Sequence, residues 1–192
     1  MTVSKNFVKV GFMLEEVVIA GFGGQGVVFC GTLLCCAGMR EEKEVCGIPS
    51  YGAEMRGGTA NYSVVISEEE IASPLVFNPT SAIIMNQPSL DKFEPKMKSG
   101  GLMILNSSLV TREIDRADLK VVKIPATLIA TELGNERVAN MVALGAYLSK
   151  SKVVLLENAV KALSLSLSKD KQKLLTINEK ALRKGFEIGS KG

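Results

Sequence analysis

A short run of glycines stands where a β-branched segment gives way to an apolar one, in residues 21–26 (GFGGQG). Glycine lets the chain turn tightly and lets a phosphate approach the backbone amides, and the N-terminus of a following helix adds partial positive charge. The pattern G-x-G-x-x-G therefore predicts binding of a phosphate, a diphosphate or another anion. The predicted contact residues are Gly21, Gly23, Gly24, Gln25 and Gly26. The alternative interpretation is that the glycines only allow tight packing of a strand against a helix.

Binding of NAD at this loop is disfavoured, because no acidic residue stands at the position that a dinucleotide site requires. A dinucleotide site needs an acidic side chain at the end of the second strand, where it holds the ribose hydroxyls. The second predicted strand runs into Ile48 and Pro49 without an acid, and Glu41, Glu42 and Glu44 lie before it or at its start. The glycine pattern alone therefore does not indicate a dehydrogenase.

A second candidate region, residues 49–58 (PSYGAEMRGG), presents Tyr51, Glu54 and Arg56 between glycines. Ligands of open α/β sheets collect at the carboxyl ends of the strands, and the usual geometry places this loop beside the glycine loop. An arginine there can form a bidentate fork to a phosphate or a carboxylate. We therefore predict cofactor contacts from these three side chains. The alternative is a tight turn in which Arg56 pairs with Glu54 or with a carboxylate across an interface.

Several classes of chemistry lack their residues in this sequence. It contains no histidine, which excludes Ser-His-Asp and Cys-His nucleophiles and every metal site that uses histidine. The four cysteines, at positions 30, 35, 36 and 46, form no C-x-x-C pair, so zinc and iron–sulfur spacings are not matched. Three of them fall in a predicted buried helix, where thiols act as small apolar groups. We predict no catalytic and no metal-binding residue, and a reducing, cytoplasmic location.

Charge and hydropathy argue against nucleic-acid and membrane binding. The 192 residues carry a net charge of +3 without a basic block, and aromatic residues make up 5% with no tryptophan. Nucleic-acid binders concentrate their lysines and arginines and use aromatic stacking. Residues 17–39 contain no charge, but six glycines divide them into a strand, a turn and a helix. We therefore expect no membrane span there, and the N-terminus shows no secretory pattern.

Strand and helix patterns alternate along the chain. Strands are predicted at residues 14–20, 44–48, 59–67, 81–86, 102–106 and 119–124, and helices at 25–39, from Pro88, at 135–148, from Ala159 through the alternating run 163–168, and around 181–186. This order predicts one three-layer α/β/α domain, Rossmann-like, with a mainly parallel or mixed sheet, over residues 14–192. Residues 1–13 are predicted to be an N-terminal extension.

Two predicted helices have unusual surfaces. Helix 25–39 is apolar on all sides, so it needs a cover on both sides. We expect the sheet to cover one side and a neighbouring subunit to cover the other. Helix 135–148 carries Ala143, Gly145 and Ala146 and is therefore thin enough for close backbone packing.

Several motifs, taken in order, resemble the gamma subunit of 2-oxoacid:ferredoxin oxidoreductases over about residues 16–185. They are GFGGQG at 21–26, PSYGAEMRGG at 49–58 with the strand after it, Ser73-Pro74, MNQPSLDKF at 85–93, Gly100-Gly101, NSS at 106–108 and NMVALG at 140–145. The sequences PSYGAEMRGG and MNQPSLDKF are most similar to those of the 2-oxoglutarate type. A branched-chain 2-oxoacid is the second candidate substrate.

The resemblance implies a part in the oxidative decarboxylation of a 2-oxoacid, with coenzyme A, to an acyl-CoA, with electrons passed to ferredoxin. It also implies that thiamine diphosphate, magnesium and iron–sulfur clusters sit on alpha-, beta- and delta-type partner subunits. The sequence agrees, since it has no Gly-Asp-Gly thiamine signature. The isolated chain is expected to be inactive, and on its own it is expected to be able to form a homodimer. In the complex it is expected to contribute an interface and part of a coenzyme A pocket. The alternative is a free-standing nucleotide- or phosphate-binding α/β protein.

Overall fold

A computed structural model describes residues 13–51, 59–166 and 174–191. Six strands form one sheet in the order β2-β3-β1-β4-β5-β6. The strands are β1 (Leu14–Phe22), β2 (Glu44–Tyr51), β3 (Thr59–Ser67), β4 (Ser81–Ile84), β5 (Leu102–Asn106) and β6 (Lys120–Ile124). Strands β1, β4, β5 and β6 are parallel, while β3 runs antiparallel to both β1 and β2. The sheet is therefore mixed.

Helices cover both faces of the sheet. They are α1 (Val27–Met39), α2 (Gln87–Phe93), α3 (Ala126–Glu132), α4 (Ala139–Ser151), α5 (Leu156–Ser166) and α6 (Leu175–Lys191), with 3-10 turns at Glu94–Lys96 and Glu136–Val138. Helix α2 packs on one face, and α1 and α4 pack on the other with α5 and α6 outside them. The three-layer α/β/α prediction is confirmed.

The apolar run of β1, residues 17–20, is explained by its place in the sheet. Val17 and Ile19 belong to the larger core cluster, on the side of α1 and α4, whereas Val18 and Ala20 belong to the smaller cluster beside α2. Successive side chains of a strand point to opposite faces, and a strand covered on both faces is apolar at every position. All four residues are buried. The glycine loop thus follows a central strand that is buried on both faces over residues 17–20.

The strand pairing at the ends of the two candidate loops agrees with their predicted neighbourhood, since Thr59, directly after the second loop, pairs with Phe22 of the glycine loop. Strand β3 lies between β1 and β2, and Ala60 of β3 pairs with Gly21 on one side and with Tyr51 on the other. The ends of β1 and β2 therefore reach the same edge of the sheet, but two strand spacings apart, roughly 10 Å. The place of this antiparallel third strand in the sheet cannot be foreseen from hydropathy alone.

The second cover of α1 comes from the chain itself, so the prediction of a neighbouring subunit was wrong. Helix α5 packs on α1 on the side away from the sheet. Most of α1 is buried, and Phe29 and Cys36 are half-buried against the same core. Residues 163–166 of the alternating run are helical and belong to α5, as favoured, and residues 167 and 168 lie outside the described residues.

The close packing predicted for the helix at 135–148 is confirmed. That helix is α4, whose first ten residues are all buried. A Cβ added at Gly145 would lie 2.0 Å from the carbonyl oxygen of Leu182, and one added at Gly185 would lie 1.9 Å from that of Val142. The backbones of α4 and α6 therefore touch, and only glycine fits at these two positions.

Thiols of α1 behave as predicted. Cys30 and Cys35 are buried. Burial raises the pKa of the Cys30 thiol far above its ordinary value, and burial together with the neighbouring Cys36 and Cys46 raises the pKa of Cys35 to about 12. Buried thiols of this kind are inert apolar groups.

The N-terminal extension lies outside the described residues, apart from Met13, and the division of the chain at residue 14 stays a prediction. Within the described ranges, no helix is both long and apolar enough to cross a membrane.

Candidate functional site

The glycine loop is closed by the side chain of Gln25. The Phe22 amide donates to Gln25 Oε1 at 2.7 Å, and Asn86 Nδ2 donates to the same oxygen at 3.2 Å. The Gln25 amide in turn donates to the carbonyl oxygen of Phe22 at 3.1 Å. The side-chain carbonyl of Gln25 is thus used inside the loop, and its NH₂ group has no hydrogen-bond acceptor among the described residues.

The glycines of this loop differ in whether packing or backbone conformation requires a glycine. A Cβ at Gly21 would lie 2.6 Å from Gln25 Oε1, and Gly24 and Gly26 have φ values of 96° and 72°. Packing or backbone conformation therefore requires glycine at these three positions. Gly23 has neither a positive φ nor an atom within 4 Å of an added Cβ. The space around Gly23 is therefore open to a group from outside the described chain.

Helix α1 starts directly behind the loop with an uncapped N-terminus. Gly26 is its N-cap residue, no side chain caps it, and its first turn contains no acidic residue. The first amides of a helix have no intrahelical acceptor, and the helix dipole makes this end attractive to anions. A cavity of about 510 Å³ lies beside it, lined by Gly23, Gly24 and Phe29 among others.

A second cavity, of about 470 Å³, opens between the carboxyl ends of β1 and β4. Helix α1 leaves β1 toward one face of the sheet, and α2 leaves β4 toward the other. Such a point, where the connections change face, is the common ligand site of open α/β sheets. Gly24, Gln25 and Met85 form one side of this cleft, and residues 134–137 form another. We refer to it as the carboxyl-edge cleft.

Buried amide side chains hold the surroundings of the cleft in place. Asn86 Oδ1 accepts from the Ser89 amide at 2.9 Å and so caps α2. Asn106 Nδ2 donates to Thr127 Oγ1 at 2.9 Å, and Asn140 Nδ2 donates to the carbonyl oxygen of Gly26 at 3.0 Å. All three asparagines are at most 3% exposed. These hydrogen bonds fix the loops after β1, β4 and β5 relative to one another.

Arg137 is a candidate ligand residue that the sequence reasoning missed. It lines the carboxyl-edge cleft, is exposed, and its guanidinium pairs with no carboxylate of the described chain. Asn135 Oδ1 accepts the Arg137 amide at 3.1 Å, which positions its backbone in a short 3-10 turn. The signal was present in the sequence: an arginine follows Gly134 and Asn135 at the entrance of the helix that carries the NMVALG motif.

The three predicted residues of the second loop are placed only in part. Tyr51 ends β2 at the same edge of the sheet as the glycine loop. Glu54 and Arg56 lie outside the described residues. The two ends of their loop, Tyr51 and Thr59, both belong to this edge. Contacts of Tyr51, Glu54 and Arg56 with a ligand stay a prediction.

Glu41 lies at about the sequence spacing from the glycine loop that a ribose-binding acid would have, but its carboxylate has a structural role. Its Oε1 accepts from the Leu155 amide at 2.6 Å and from Asn158 Nδ2 at 3.0 Å, and its Oε2 accepts from Lys43 Nζ at 2.9 Å. Burial raises the pKa of Glu41, but these hydrogen bonds outweigh it and hold the pKa below its ordinary value. The carboxylate anchors the start of α5, away from the glycine loop, which agrees with the sequence argument against NAD.

Metal-binding clusters are not seen in the part of the chain that the structure describes: no three His, Cys, Asp or Glu side chains are grouped to hold an ion. Among the described residues, this edge offers glycine backbone, helix amides, neutral amides and the unpaired guanidinium of Arg137, together with the carboxylate of Glu136. That set can bind and orient an anionic ligand.

Residues 16–188 match the sequence profile of the family described as "Pyruvate ferredoxin/flavodoxin oxidoreductase". The chain belongs to this family. The subunit KorC of 2-oxoglutarate synthase from Methanocaldococcus jannaschii is 36% identical over 179 residues, which cover 92% of this chain and 94% of that one. The ketoisovalerate oxidoreductase subunit VorA of Methanothermobacter thermautotrophicus is also 36% identical, over 90% of this chain. The chain spans only 36% of the length of VorA.

Solved structures agree with the sequence relatives. The gamma subunit of a keto/oxoacid ferredoxin oxidoreductase from Geobacter sulfurreducens superposes with a TM-score of 0.81 at 29% identity, covering 93% of this chain and 99% of that one. The 2-oxoglutarate:ferredoxin oxidoreductase of Magnetococcus marinus, solved with 2-oxoglutarate, coenzyme A and succinyl-CoA, gives 0.82 at 27% identity, over 93% of this chain and 31% of that one. The resemblance to gamma subunits of 2-oxoacid:ferredoxin oxidoreductases is confirmed, and with it the fold class.

Proposed function

We propose that this chain is the gamma-type subunit of a 2-oxoacid:ferredoxin oxidoreductase. The assembled enzyme oxidatively decarboxylates a 2-oxoacid, transfers the acyl group to coenzyme A and passes the electrons to ferredoxin. The observation that carries the proposal is the match to KorC, which extends over 94% of that subunit and 92% of this chain. A free-standing nucleotide-binding protein is not favoured, because the relatives are subunits of oxidoreductases.

The chain's own part is binding and assembly. The sequence has no histidine and no C-x-x-C pair. Thiamine diphosphate, magnesium and iron–sulfur clusters accordingly belong to alpha-, beta- and delta-type partners, and ferredoxin docks on the assembled complex. The gamma-type chain alone has no group that could cleave a carbon–carbon bond, so its isolated form is inactive.

Coenzyme A is the ligand we assign to the glycine loop and the carboxyl-edge cleft. It carries a diphosphate and a further phosphate, and anions of this kind suit uncapped helix amides and an arginine fork. Gly23 leaves its space open, α1 directs its first amides to the loop, and Arg137 brings an unpaired positive charge to the cleft. The Gln25 NH₂ group, and Tyr51, Glu54 and Arg56 from the second loop, complete the proposed contacts. The relative from Magnetococcus marinus was solved with coenzyme A bound.

The proposed substrate is 2-oxoglutarate. KorC belongs to 2-oxoglutarate synthase, and the sequence MNQPSLDKF at residues 85–93 also resembles the 2-oxoglutarate type. The VorA match keeps a branched-chain 2-oxoacid as the second candidate. Comparing turnover of 2-oxoglutarate and 2-oxoisovalerate by the purified complex separates the two.

The coenzyme A assignment is tested in the assembled complex with Arg137→Ala and Arg56→Ala. Each variant should raise the coenzyme A KM by about tenfold, because a charge-assisted hydrogen bond contributes roughly that factor. The KM for the 2-oxoacid should stay unchanged. Arg40→Ala is the matched control, since Arg40 is exposed and follows the far end of α1. An unchanged coenzyme A KM in both variants would refute the pocket while leaving the subunit assignment intact.

A further inference from the structure

A further cavity lies at the opposite edge of the sheet from the glycine loop. Its volume is about 600 Å³. It is formed where β4, β5 and β6 begin and where α4 ends. Strand β4 is four residues long, so this cavity and the carboxyl-edge cleft are separated by roughly 13 Å of strand. We refer to it as the amino-edge cavity.

Lysines from three different elements line the amino-edge cavity. Lys98 precedes β5 and pairs with Glu16. Lys120 begins β6, and Lys150 lies in the last turn of α4. The ammonium groups of Lys120 and Lys150 form no ion pair with any carboxylate in the described ranges. Two ammonium groups that form no ion pair in the described ranges therefore line the same cavity.

The turn that borders the cavity requires glycine at both of its central positions. Gly100 has a φ of 73°, and a Cβ at Gly101 would lie 2.8 Å from the carbonyl oxygens of both Lys98 and Thr80. This Gly100-Gly101 pair is one of the motifs recognised in the sequence, and the carboxyl-edge cleft makes no use of it. It holds Lys98 and the start of β5 in a fixed relation to the start of β4.

An acceptor group is held rigidly in the wall of the same cavity. Tyr147, which is fully buried, donates from its hydroxyl to Glu15 Oε1 at 3.1 Å, and Ser81 Oγ donates to the same oxygen. The second carboxylate oxygen, Glu15 Oε2, has no partner among the described residues. The cavity thus combines two free cations with one oriented carboxylate oxygen.

From this combination we infer that the amino-edge cavity binds a small phosphate ester that carries hydroxyl groups. Lys120 and Lys150 hold the phosphate, because ammonium groups form strong charge-assisted hydrogen bonds with phosphate oxygens. Glu15 accepts a hydrogen bond from a hydroxyl group of the same ligand. This site is distinct from the proposed coenzyme A pocket and does not depend on it.

Isothermal titration of the full chain with ribose 5-phosphate, at constant ionic strength, tests the inference. The parent chain should bind one equivalent saturably. Lys120→Gln/Lys150→Gln should weaken binding by at least about tenfold, since hydrogen bonds to charged groups contribute roughly that factor. Each single variant should show an intermediate loss, which keeps the test decisive if the double variant does not fold.

Two matched controls separate a specific site from general attraction of charge. Lys161→Gln/Lys180→Gln makes the same charge change on the exposed surfaces of α5 and α6 and should alter the affinity by less than about twofold. Arg137→Gln should also leave it unchanged. The inference is overturned if the parent chain shows no saturable binding, if the control pair weakens binding as much as the cavity pair, or if Arg137→Gln abolishes binding.

Discussion

Asn140 Nδ2 donates a hydrogen bond to the carbonyl oxygen of Gly26 at 3.0 Å, although 114 positions separate the two residues in the sequence. The contact is tight, because a Cβ added at Gly26 would lie 2.4 Å from that nitrogen. Asn140 stands in the first turn of α4, and Gly26 is the N-cap of α1. The start of the buried helix α4 therefore fixes the loop that we assign to coenzyme A.

Asn140→Ala should lower the free energy of unfolding by about 1–3 kcal/mol, because it leaves the buried Met141 amide without its acceptor and removes one of the two donors to the Gly26 carbonyl oxygen. Urea unfolding of the full chain measures this. Asn78→Ala is the matched control: Asn78 Nδ2 also donates to a carbonyl oxygen, that of Lys96, at 3.0 Å, but at the surface. Its effect should stay within about 0.5 kcal/mol. Equal effects of the two substitutions would contradict an anchoring role for Asn140.

Gly23→Ala and Gly26→Ala should have opposite consequences. Alanine at Gly23 meets open space and an ordinary backbone conformation, so stability should change by less than about 0.5 kcal/mol, while the coenzyme A KM of the complex rises. Alanine at Gly26 requires a φ of 72° and a shift of Asn140, so it should destabilise the chain by about 1–3 kcal/mol. Urea unfolding and steady-state kinetics check the pair. An unchanged KM with Gly23→Ala would show that this open space serves no ligand.

Gly145→Ala or Gly185→Ala should destabilise the chain by about 3 kcal/mol or more. Each added methyl would lie about 2 Å from a backbone carbonyl oxygen of the facing helix, and a backbone cannot move aside as a side chain can. Gly23→Ala provides the control, since it adds the same methyl group without a contact. Thermal unfolding measures all three. A melting temperature close to that of the parent chain would mean that α4 and α6 do not touch through their backbones.

Acid should weaken the fold partly through Glu94. Burial raises the pKa of Glu94, but hydrogen bonds from Arg112 and from the Arg116 and Asp115 amides outweigh it and hold the pKa below its ordinary value of 4.5. A carboxyl whose folded-state pKa is lowered contributes stability above its unfolded pKa and loses it as the pH falls through the folded value. Stability should therefore drop below about pH 4.5.

Glu94→Gln should be less stable than the parent chain at pH 7 and should show a smaller further loss below pH 4.5. Glu113→Gln is the control, because Glu113 is largely exposed and pairs only with Lys123 at the surface. Denaturation curves at a series of pH values give the comparison. If Glu94→Gln has the same acid dependence as the parent chain, Glu94 does not titrate with folding.

Much of this fold follows from local patterns in the sequence. Strands β3 and β5 were predicted with the bounds that the structure shows, because β-branched and apolar residues stand between clear turn signals. Gly134, directly before the helix predicted at 135–148, has a φ of 92°, which glycine adopts freely. The thinness of α4 at Gly145 indicated a close helix partner, which is α6.

Long-range features escaped prediction. The place of β3 between β1 and β2 depends on which strands pair, and local hydropathy does not encode it. The covering of α1 by α5 likewise depends on the path of the chain more than 100 residues later. Within the site, the glycines were found because their pattern is local, whereas Arg137 and Asn140 reach the edge only through the packing of α4.

The central claim is that this chain contributes a binding surface to an oxidoreductase whose bond chemistry belongs to its partners. The most direct test measures ferredoxin reduction with 2-oxoglutarate and coenzyme A, by the purified chain alone and by the same chain combined with its co-purified partner subunits. We expect no turnover by the chain alone, and turnover by the combination that is lost when this chain is left out. Turnover of a 2-oxoacid by the single purified chain would contradict the account.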